Sequence, residues 1–368
     1  MTSVHAYLAR QLATLAADHH LRSLPGYWAG VDFQSNDYLG FGRDASPAEP
    51  VTGAATGSRL ISGDREEYGE IEAAVARRHG AGAALVFNSG YAANTGLLSS
   101  LPWRGDTIIY DQLVHASIHD GMRLSRAEAR IFRHNDLEDL TEQLRQAGDG
   151  RVYVVVESLY SMDGDTAPLA AIADLCDTYG AALIVDDAHA FGVYGSGGGG
   201  LVEAAGLADR VFARVITFGK ALGQPGAVVL GSPDLRTFLI NRARSFIYST
   251  ALPPAIWAGI RAAYLRLDRE QPARAARLHR LIAYFQAAAA ALNLPRRDGP
   301  IQVIPCPGNA AVVALEARLR AAGLGVKAIR HPTVARGEER LRVCLHAFNT
   351  EAEIDRLVEE LLGSRGVE

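Results

Sequence analysis

The stretch ALIVDDAHAFG (182–192) decides the fold, because four apolar residues run straight into two carboxylates and a histidine. A run that is apolar on both faces is typical of a strand buried between two helical layers. Runs of the same kind are ALVF (84–87), TIIY (107–110), VYVVV (152–156), RVITF (214–218) and AVVL (227–230). Helical stretches such as LEDLTEQLRQA alternate with them, so the sequence predicts an open, mostly parallel α/β sheet.

Beyond this region the pattern predicts a second, smaller α/β domain. Residues 255–294 are rich in Ala, Leu and Arg and should form a helix that Pro272 breaks or kinks. The strand-like runs that follow are IQVIP (301–305), LGVKAI (324–329) and RLRVCLH (340–346). A chain of 368 residues is long enough for two domains. We expect an N-terminal segment over 1–45, a large domain over 46–254 and a small domain over 255–368.

Composition argues against several classes of function. The chain has 37 Lys and Arg against 41 Asp and Glu, a net charge of −4, which disfavours nucleic acid or an anionic membrane as main partner. No apolar run reaches the roughly 20 residues of a membrane span, and residues 1–20 are interpreted as an amphipathic helix rather than a signal peptide. Cys176, Cys306 and Cys344 form no CxxC pair, so we expect a reducing cytoplasm and no cysteine metal site.

Polar residues follow several of the predicted strands, where ligands bind in open α/β sheets. Ser89 and Gly90 come between a strand and a helical run, and the free N–H groups of a helix start can hold an anion; a plain strand-to-helix turn is the alternative. Asp186 ends a buried strand, where an unpaired charge is costly, so it needs a cationic partner from the protein or a cofactor. His189 lies three residues on, but no further His or Cys cluster supports a metal site.

A lysine follows another of these strands. Lys220 in RVITFGKALG (214–223) sits in a glycine-flanked turn, where a lysine can form a Schiff base, with a surface lysine as the alternative. Thr217, three residues earlier, offers a hydroxyl to an anion. Glu157 and Ser161 end the VYVVV strand. The segment GSGGGG (195–200) lacks the sequence context of a nucleotide loop, and we interpret it as a flexible loop over the cleft.

The chain as a whole resembles the α-oxoamine synthase family of fold type I pyridoxal-phosphate enzymes. The blocks that carry the resemblance are SNDYLG (35–40), GSRLISG (57–63), FNSGYAAN (87–94), HASIHDG (115–121), SMDGD (161–165), VDDAH (185–189), TFGKALG (217–223), YSTALPP (248–254) and HPTVARGEERLR (331–342). They follow one another along essentially the whole chain. The resemblance implies a large, mostly parallel sheet domain with a smaller C-terminal domain, and pyridoxal 5'-phosphate as cofactor.

The resemblance also implies roles around the cofactor ring. Lys220 forms the Schiff base and acts as the base, and Asp186 keeps the pyridinium nitrogen protonated. His115 stacks on one face of the ring, and Ala188 leaves room on the other. His189 and Ser161 bond the phenolic oxygen of the ring, and Glu157 is a further cofactor-binding residue.

Other implied roles concern the phosphate and the substrates. The residues implied around the phosphate are Ser89, Gly90, Tyr91 and Thr217, with Thr250 contributed by the other subunit of a homodimer. On the substrate side the candidates are Arg22, Asn36, His115 and Arg342; Arg340 shares the strand face of Arg342, so only the resemblance chooses between them.

Several blocks are most similar to the family members that join L-alanine to a pimeloyl thioester, on coenzyme A or an acyl carrier protein, in biotin biosynthesis. The segment CLHAFNT (344–350) departs from the Ala-His-Thr ending of relatives, which bears on substrate detail. Three alternatives stay open: a sister enzyme that uses glycine with an acetyl or other acyl thioester, a nicotinamide-dependent oxidoreductase that uses GSGGGG (195–200), and a binding protein on the same scaffold.

Overall fold

A computed structural model describes residues 4–22, 24, 26, 28–43 and 53–365. By contacts the chain divides into two compact units, described here separately. The large unit comprises Asn36–Ser161 and Asp165–Ala276, and the small unit comprises Met1–Ser35, Met162–Gly164 and Arg277–Glu368. The predicted boundary between residues 45 and 46 lies outside the described residues, and the predicted division into 1–45, 46–254 and 255–368 stays a prediction.

Strands and helices alternate through most of the chain. The strands are β1 (Val31–Asp32), β2 (Ala83–Phe87), β3 (Thr107–Asp111), β4 (Glu128–Phe132), β5 (Val152–Glu157), β6 (Ala182–Asp186), β7 (Ala213–Thr217), β8 (Ala227–Gly231), β9 (Ile301–Pro305), β10 (Leu324–Gly325), β11 (Lys327–Ile329) and β12 (Arg340–Cys344). The α-helices are α1 (Val4–Ala17), α2 (Glu66–Arg78), α3 (Gly90–Ser100), α4 (Ala116–Leu124), α5 (Leu137–Arg145), α6 (Leu169–Tyr179), α7 (Leu201–Ala204), α8 (Pro233–Arg242), α9 (Arg244–Ile247), α10 (Pro254–Ala288), α11 (Asn309–Ala321) and α12 (Glu351–Arg365).

The large unit is built on a seven-stranded sheet in the order β2-β8-β7-β6-β5-β3-β4. Strand β8 runs antiparallel to β2 and β7, and the other pairs are parallel, so the predicted mostly parallel sheet is confirmed. All six predicted strands of this region are present. The sequence analysis missed β4, because this edge strand exposes three of its five residues and so lacks a continuous apolar run.

Both faces of this sheet are covered. Along β2, Ala84 and Val86 belong to one apolar cluster, whereas Leu85 and Phe87 belong to another on the opposite face. The same alternation recurs along the central strands, because successive side chains of a strand point to opposite faces. Burial on both faces is the reason these strands are apolar at every position, and it leaves the strand ends as the places for polar residues.

Helix α10 continues through Pro272, so the predicted break does not occur. A proline in a helix removes one backbone donor and costs about 3 kcal/mol or more. Leu267 and Leu278, on either side of it, are fully buried, and this packing holds the helix together across the proline. In the part of the chain that the structure describes, no helix combines the length and apolarity that a membrane crossing requires.

The small unit contains two sheets. Strands β11, β12 and β9 form an antiparallel sheet in that order, and β1 pairs with β10 in parallel. The predicted strand-like runs of this region are therefore confirmed, with the run LGVKAI (324–329) divided between β10 and β11. Helices α11 and α12 complete this unit, and α12 begins with a capping box, in which the Thr350 and Glu353 side chains accept from each other's backbone N–H.

Candidate active site

The structure brings the predicted strand-end residues of the large unit to one edge of its sheet. In the parallel pair β5–β6, Glu157 lies opposite Asp186. The charges of Asp186 and Lys220 act on the protonation of both His115 and Glu157. Residues separated by up to 105 positions in sequence thus meet, as expected for carboxyl ends of neighbouring parallel strands.

Asp186 is buried and is held by neutral hydrogen-bond donors. The Asn94 side-chain amide lies 2.7 Å from Asp186 Oδ2, and the Ala188 backbone N–H lies 3.1 Å from Oδ1. The same Asn94 nitrogen lies 3.0 Å from Ser117 Oγ, which is 2.8 Å from His115 Nδ1. Asn94 and Ser117 were missed in the sequence analysis; the signal available was an amide inside the FNSGYAAN block and a hydroxyl inside HASIHDG.

His115 caps helix α4 with its ring. Its Nδ1 accepts the backbone N–H of Ser117 at 3.2 Å, so a neutral ring carries its proton on Nε2. Burial lowers the pKa of His115, the Asp186 carboxylate raises it, the Lys220 ammonium lowers it again, and the net shift is downward. A neutral imidazole at pH 7 follows, which presents a flat uncharged face rather than a second cation.

A buried tyrosine supports His189. The Tyr38 hydroxyl lies 2.7 Å from His189 Nδ1 and 3.2 Å from the side-chain oxygen of Asn36. Tyr38 is fully buried and lies 151 residues before His189 in the chain. The sequence analysis chose Asn36 from the SNDYLG block and missed Tyr38 two residues later. In the structure, the Tyr38 hydroxyl connects the Asn36 side chain to His189.

Ser89 and Gly90 lie at the start of α3, where the sequence predicts an anion cradle. Ser89 caps this helix by accepting the Ala92 N–H at 3.1 Å. A Cβ atom at Gly90 would lie 3.7 Å from the Thr217 side chain, so the helix start and the end of β7 adjoin. The first N–H groups of a helix have no acceptor within it, and here they lie beside a threonine hydroxyl.

Two other residues predicted near the phosphate lie at the protein surface in the single chain. The Tyr91 hydroxyl donates to Asp120, and its ring is half exposed. Thr250 is exposed, and its carbonyl accepts the Asn88 side-chain amide at 2.7 Å, next to Ser89. Their predicted contacts with a phosphate, and the origin of Thr250 in a partner subunit, stay predictions.

Glu157 is buried beside Asp186. Burial raises the pKa of Glu157 well above its ordinary value, the Asp186 charge raises it further, and the Lys220 ammonium opposes both. The backbone N–H of Ser161 donates to its carboxyl group. The other oxygen, Oε1, has no hydrogen-bond partner among the described residues.

The glycine-rich segment encloses an ion pair and is not a flexible loop over a cleft, which corrects that interpretation. Asp187 lies 2.6 Å from Arg214, and both side chains are almost fully buried. The Arg214 guanidinium also donates to the carbonyl of Gly199. Gly198–Gly200 are buried around this pair, and at Gly200, with φ of +97°, a Cβ would collide with the Asp187 carboxylate. Glycine is required there for packing rather than for nucleotide binding.

Two of the predicted substrate-binding arginines lie in the small unit. Arg22 donates to Thr333 Oγ1 at 3.2 Å, and Arg342 lies 2.9 Å from Cys344 Sγ. Arg340, the alternative on the same strand face, pairs with Asp163 and lies 3.4 Å from Glu338. An ion pair within the protein thus accounts for Arg340. Binding of substrate by Arg22, Asn36 and Arg342 stays a prediction.

The segment CLHAFNT (344–350), which differs from the corresponding ending of relatives, has a structural role in the small unit. His346 is fully buried, its Nε2 lies 3.1 Å from Ser35 Oγ, and its Nδ1 lies 3.0 Å from Asn349 Oδ1. Its ring stacks on Phe348 with 4.6 Å between centroids. The segment therefore fixes the chain just before SNDYLG (35–40).

The residues at this sheet edge fit pyridoxal phosphate. The buried Asp186 carboxylate suits the protonated ring nitrogen of the cofactor, and the Lys220 amine suits its carbonyl group. The neutral His115 imidazole suits the flat ring, and the N-terminus of α3 suits the phosphate. Within the described ranges, no group of three or more His, Cys, Asp or Glu side chains is arranged to hold a metal ion.

Comparison with known proteins agrees with this chemistry. A family model described as aminotransferase class I and II matches residues 29–361. The 8-amino-7-oxononanoate synthase of Anaeromyxobacter dehalogenans is 46% identical over 340 residues, which cover 90% of this chain and 85% of that protein. The solved 8-amino-7-oxononanoate synthase of Francisella tularensis has a TM-score of 0.78 at 28% identity and covers 92% of this chain and 98% of its own.

A second type of structure is also similar. A serine palmitoyltransferase from S. paucimobilis with bound PLP has a TM-score of 0.90 at 26% identity, over 100% of this chain and 99% of that one. These matches confirm the predicted family, the fold type I class and the dependence on pyridoxal phosphate. The chain belongs to the 8-amino-7-oxononanoate synthase family of the class I and II aminotransferases.

Proposed function

We propose that this chain condenses L-alanine with a pimeloyl thioester. A bond forms between the alanine Cα and the thioester carbonyl carbon, the thiol leaves, and the alanine carboxylate departs as CO2, which gives 8-amino-7-oxononanoate for biotin biosynthesis. The observation that carries the proposal is the meeting of Lys220, Asp186 and His115 at one sheet edge, in a chain 46% identical to an 8-amino-7-oxononanoate synthase.

Asp186 prepares the site for loss of a proton from alanine. Pyridoxal phosphate, when bound, supplies a ring that withdraws electrons and stabilises negative charge on the carbon next to the bound amine. The Asp186 carboxylate would keep the ring nitrogen protonated, because an opposite charge nearby favours the protonated form. Asn94 and Ala188 orient that carboxylate without neutralising it, since both donors are uncharged.

Lys220 is the attachment point for the cofactor and the base of the reaction. Its Nζ atom would take the proton from the alanine Cα and return one to the product carbon. The neutral His115 ring would cover one face of the cofactor, and the small Ala188 side chain would leave room on the other. His189, which Tyr38 orients, and Ser161 would bind the phenolic oxygen of the ring.

The phosphate is held at the start of α3, and the site is completed in a homodimer. Ser89, Gly90 and Thr217 adjoin there, and Tyr91 follows on the first turn of the helix. Thr250 would reach the phosphate of the partner subunit, since it is exposed on the single chain. A cytoplasmic location also remains part of the proposal, supported by three cysteines without disulfide bonds.

The acyl substrate would be recognised by cations. Pimelate ends in a carboxylate, and the buried guanidinium of Arg342 and the exposed one of Arg22 are suited to carboxylates. Asn36 is a further residue proposed to contact the substrate. Coenzyme A and an acyl carrier protein are the two carriers proposed for the thioester.

A substrate matrix tests the proposal. The purified holoenzyme is given alanine, glycine or serine with pimeloyl, acetyl or palmitoyl thioesters, and products are identified by mass together with released CO2. Alanine with the pimeloyl thioester should react fastest, and offering pimelate on coenzyme A and on a carrier protein in parallel identifies the carrier. Faster reaction of glycine with an acetyl thioester would overturn the assignment.

A matched variant tests the role of the lysine in the same assay. Lys220→Ala should lose turnover with every substrate pair while keeping its fold, because the attachment point and the base are lost together. Retention of activity within about tenfold of the unmodified enzyme would contradict this role.

A further inference from the structure

Two glutamates of the large unit are equally buried but differ in their partners. Glu72 and Glu157 each expose 2% of their surface. Glu72 is paired with Arg59, lies 2.9 Å from Arg236 Nη2 and accepts the backbone N–H of Val86 at 2.8 Å. Two arginine partners and a backbone donor thus balance the charge of the buried Glu72 carboxylate.

Among the described residues, Glu157 has no arginine partner of this kind, and its neighbour across the β5–β6 pair is another acid. It lies opposite Asp186 in the β5–β6 register, and both ends of the Asp186 carboxylate already accept hydrogen bonds. Two ionised carboxylates side by side in a buried site repel each other, so one of them takes up a proton. The titratable groups whose charges act on Glu157, or on which it acts, are Asp186, Lys220, Asp111 and Tyr160.

We propose that Glu157 is held as a neutral carboxylic acid and donates a hydrogen bond from its Oε1 hydroxyl to an acceptor on the ligand bound at this edge. The Ser161 N–H donates to the carboxyl group, and Oε1 lacks a partner among the described residues, which leaves Oε1 to carry the proton. A buried donor without a partner is costly, so a ligand that supplies an acceptor there gains affinity.

The assignment separates the two acids of the site by role. Asp186 is the anion that faces the ring nitrogen, and Glu157 is an uncharged donor beside it. Burial and the Asp186 charge raise the pKa of Glu157, which supports the neutral form at pH 7. The inference rests on the proposed binding of pyridoxal phosphate at this edge, and it does not depend on which amino acid or thioester reacts.

The first test is the affinity of apoprotein for pyridoxal phosphate. Glu157→Gln keeps a neutral donor and should bind within about threefold of the unmodified protein. Glu157→Met keeps the volume but has no donor, and it should bind at least about tenfold more weakly. Equal weakening in both variants would overturn the proposal, because only an ionised Glu157 makes glutamine as poor a replacement as methionine.

The second test detects the proton on the Glu157 carboxyl group directly. Infrared difference spectra at pH 7 should show a protonated-carboxyl C=O band in the unmodified protein that Glu157→Gln removes. Its absence from the unmodified protein would overturn the proposal. If glycine with an acetyl thioester proves to be the preferred pair, the proposed reaction fails, whereas these affinity and infrared results stand unchanged.

Glu72→Gln is the matched control for stability in the apoprotein. It breaks two arginine contacts and should lower the melting temperature at pH 7. Glu157 binds its proton more tightly in the folded than in the unfolded chain, so the contribution of this side chain to stability declines as pH rises above 4.5, and Glu157→Gln lacks that decline. The melting temperature of Glu157→Gln minus that of the unmodified protein should therefore grow with pH. A difference that stays constant would contradict the neutral acid.

Discussion

Asp186 and Asp187 are adjacent in sequence and both buried, yet their surroundings differ. Asp186 accepts from the Asn94 amide and the Ala188 N–H, two neutral donors. Asp187 lies 2.6 Å from the Arg214 guanidinium and also accepts from Ser158. Arg214 neutralises the charge of Asp187 within the protein. The neutral donors of Asp186 orient its carboxylate but leave its negative charge to act on a ligand.

The difference shows how one strand end supplies both structure and chemistry. The Asp187–Arg214 pair joins the turn after β6 to strand β7, and the Asp187 N–H also donates to the Val215 carbonyl at 2.8 Å. This fixes the turn that presents Asp186 and His189. A functional carboxylate thus depends on a structural one beside it, and substitutions at the two positions should separate activity from stability.

Asp186→Asn should give the largest effect on activity. The amide keeps the shape but removes the charge that would hold the ring nitrogen protonated, so turnover should fall by about 1,000-fold or more. The free energy of unfolding should fall by about 1–3 kcal/mol, less than for the loss of a buried ion pair, because the amide has one acceptor oxygen where the carboxylate has two, and one of its two neutral donors loses its acceptor. Steady-state rates and denaturant unfolding of the same preparation check both. Turnover within tenfold of the unmodified enzyme would show that another group protonates the ring.

Asp187→Asn should reverse this pattern. It leaves the Arg214 guanidinium buried without its counter-charge, which typically costs about 3–5 kcal/mol of stability. Turnover per folded, cofactor-loaded subunit should remain within about tenfold at low temperature, because the Asp186 donors are untouched. Unfolding midpoints and active-site titration measure the two quantities separately. Loss of turnover without loss of stability would show that Asp187 acts in the reaction, and would contradict its assignment as the structural one of the two carboxylates.

The sequence indicated Asp186 as a site residue, but it could not distinguish the structural role of Asp187 from the functional role of its neighbour. A carboxylate after an apolar strand predicts a site, and the strand ends of Glu157, Asp186 and Lys220 were placed correctly because parallel strands align their carboxyl ends. The partner of Asp187 is 27 residues further along the chain, and only the β6–β7 register brings Arg214 to it. The glycine-rich segment was misread for the same reason, since it encloses that pair.

Residues missed in the sequence analysis share this dependence on tertiary structure. Tyr38 meets His189 across 151 residues of chain, and Asn94 reaches Asp186 across 92. Each is a common polar residue whose own neighbours in sequence carry no sign of the contact. Strand β4 was missed for a different reason, because an edge strand that is mostly exposed has no apolar period to detect.

A smaller effect should appear in the pH dependence of stability near Arg214. His79 is buried, and its Nε2 lies 3.1 Å from the Tyr264 hydroxyl. Burial lowers the pKa of His79 well below 6.5, and the charges of Arg214 and Arg78 lower it further. The folded protein therefore keeps this histidine neutral at pH values where the unfolded chain protonates it, so stability falls as pH drops below about 6.5.

His79→Gln isolates this contribution, because glutamine retains a polar group for Tyr264 and does not titrate near neutrality. Its melting temperature should fall less steeply than that of the unmodified protein between about pH 6.5 and pH 5. His134 does not interfere with this measurement. The Asp111 and Asp165 carboxylates outweigh the effect of burial and raise the pKa of His134 from 6.5 to about 10. Its contribution to stability is therefore lost as pH rises from about 6.5 towards 10, and it does not change between pH 6.5 and pH 5. Parallel curves for the two proteins would show that His79 titrates alike in the folded and unfolded chains, so that neither burial nor the Arg214 charge lowers its pKa.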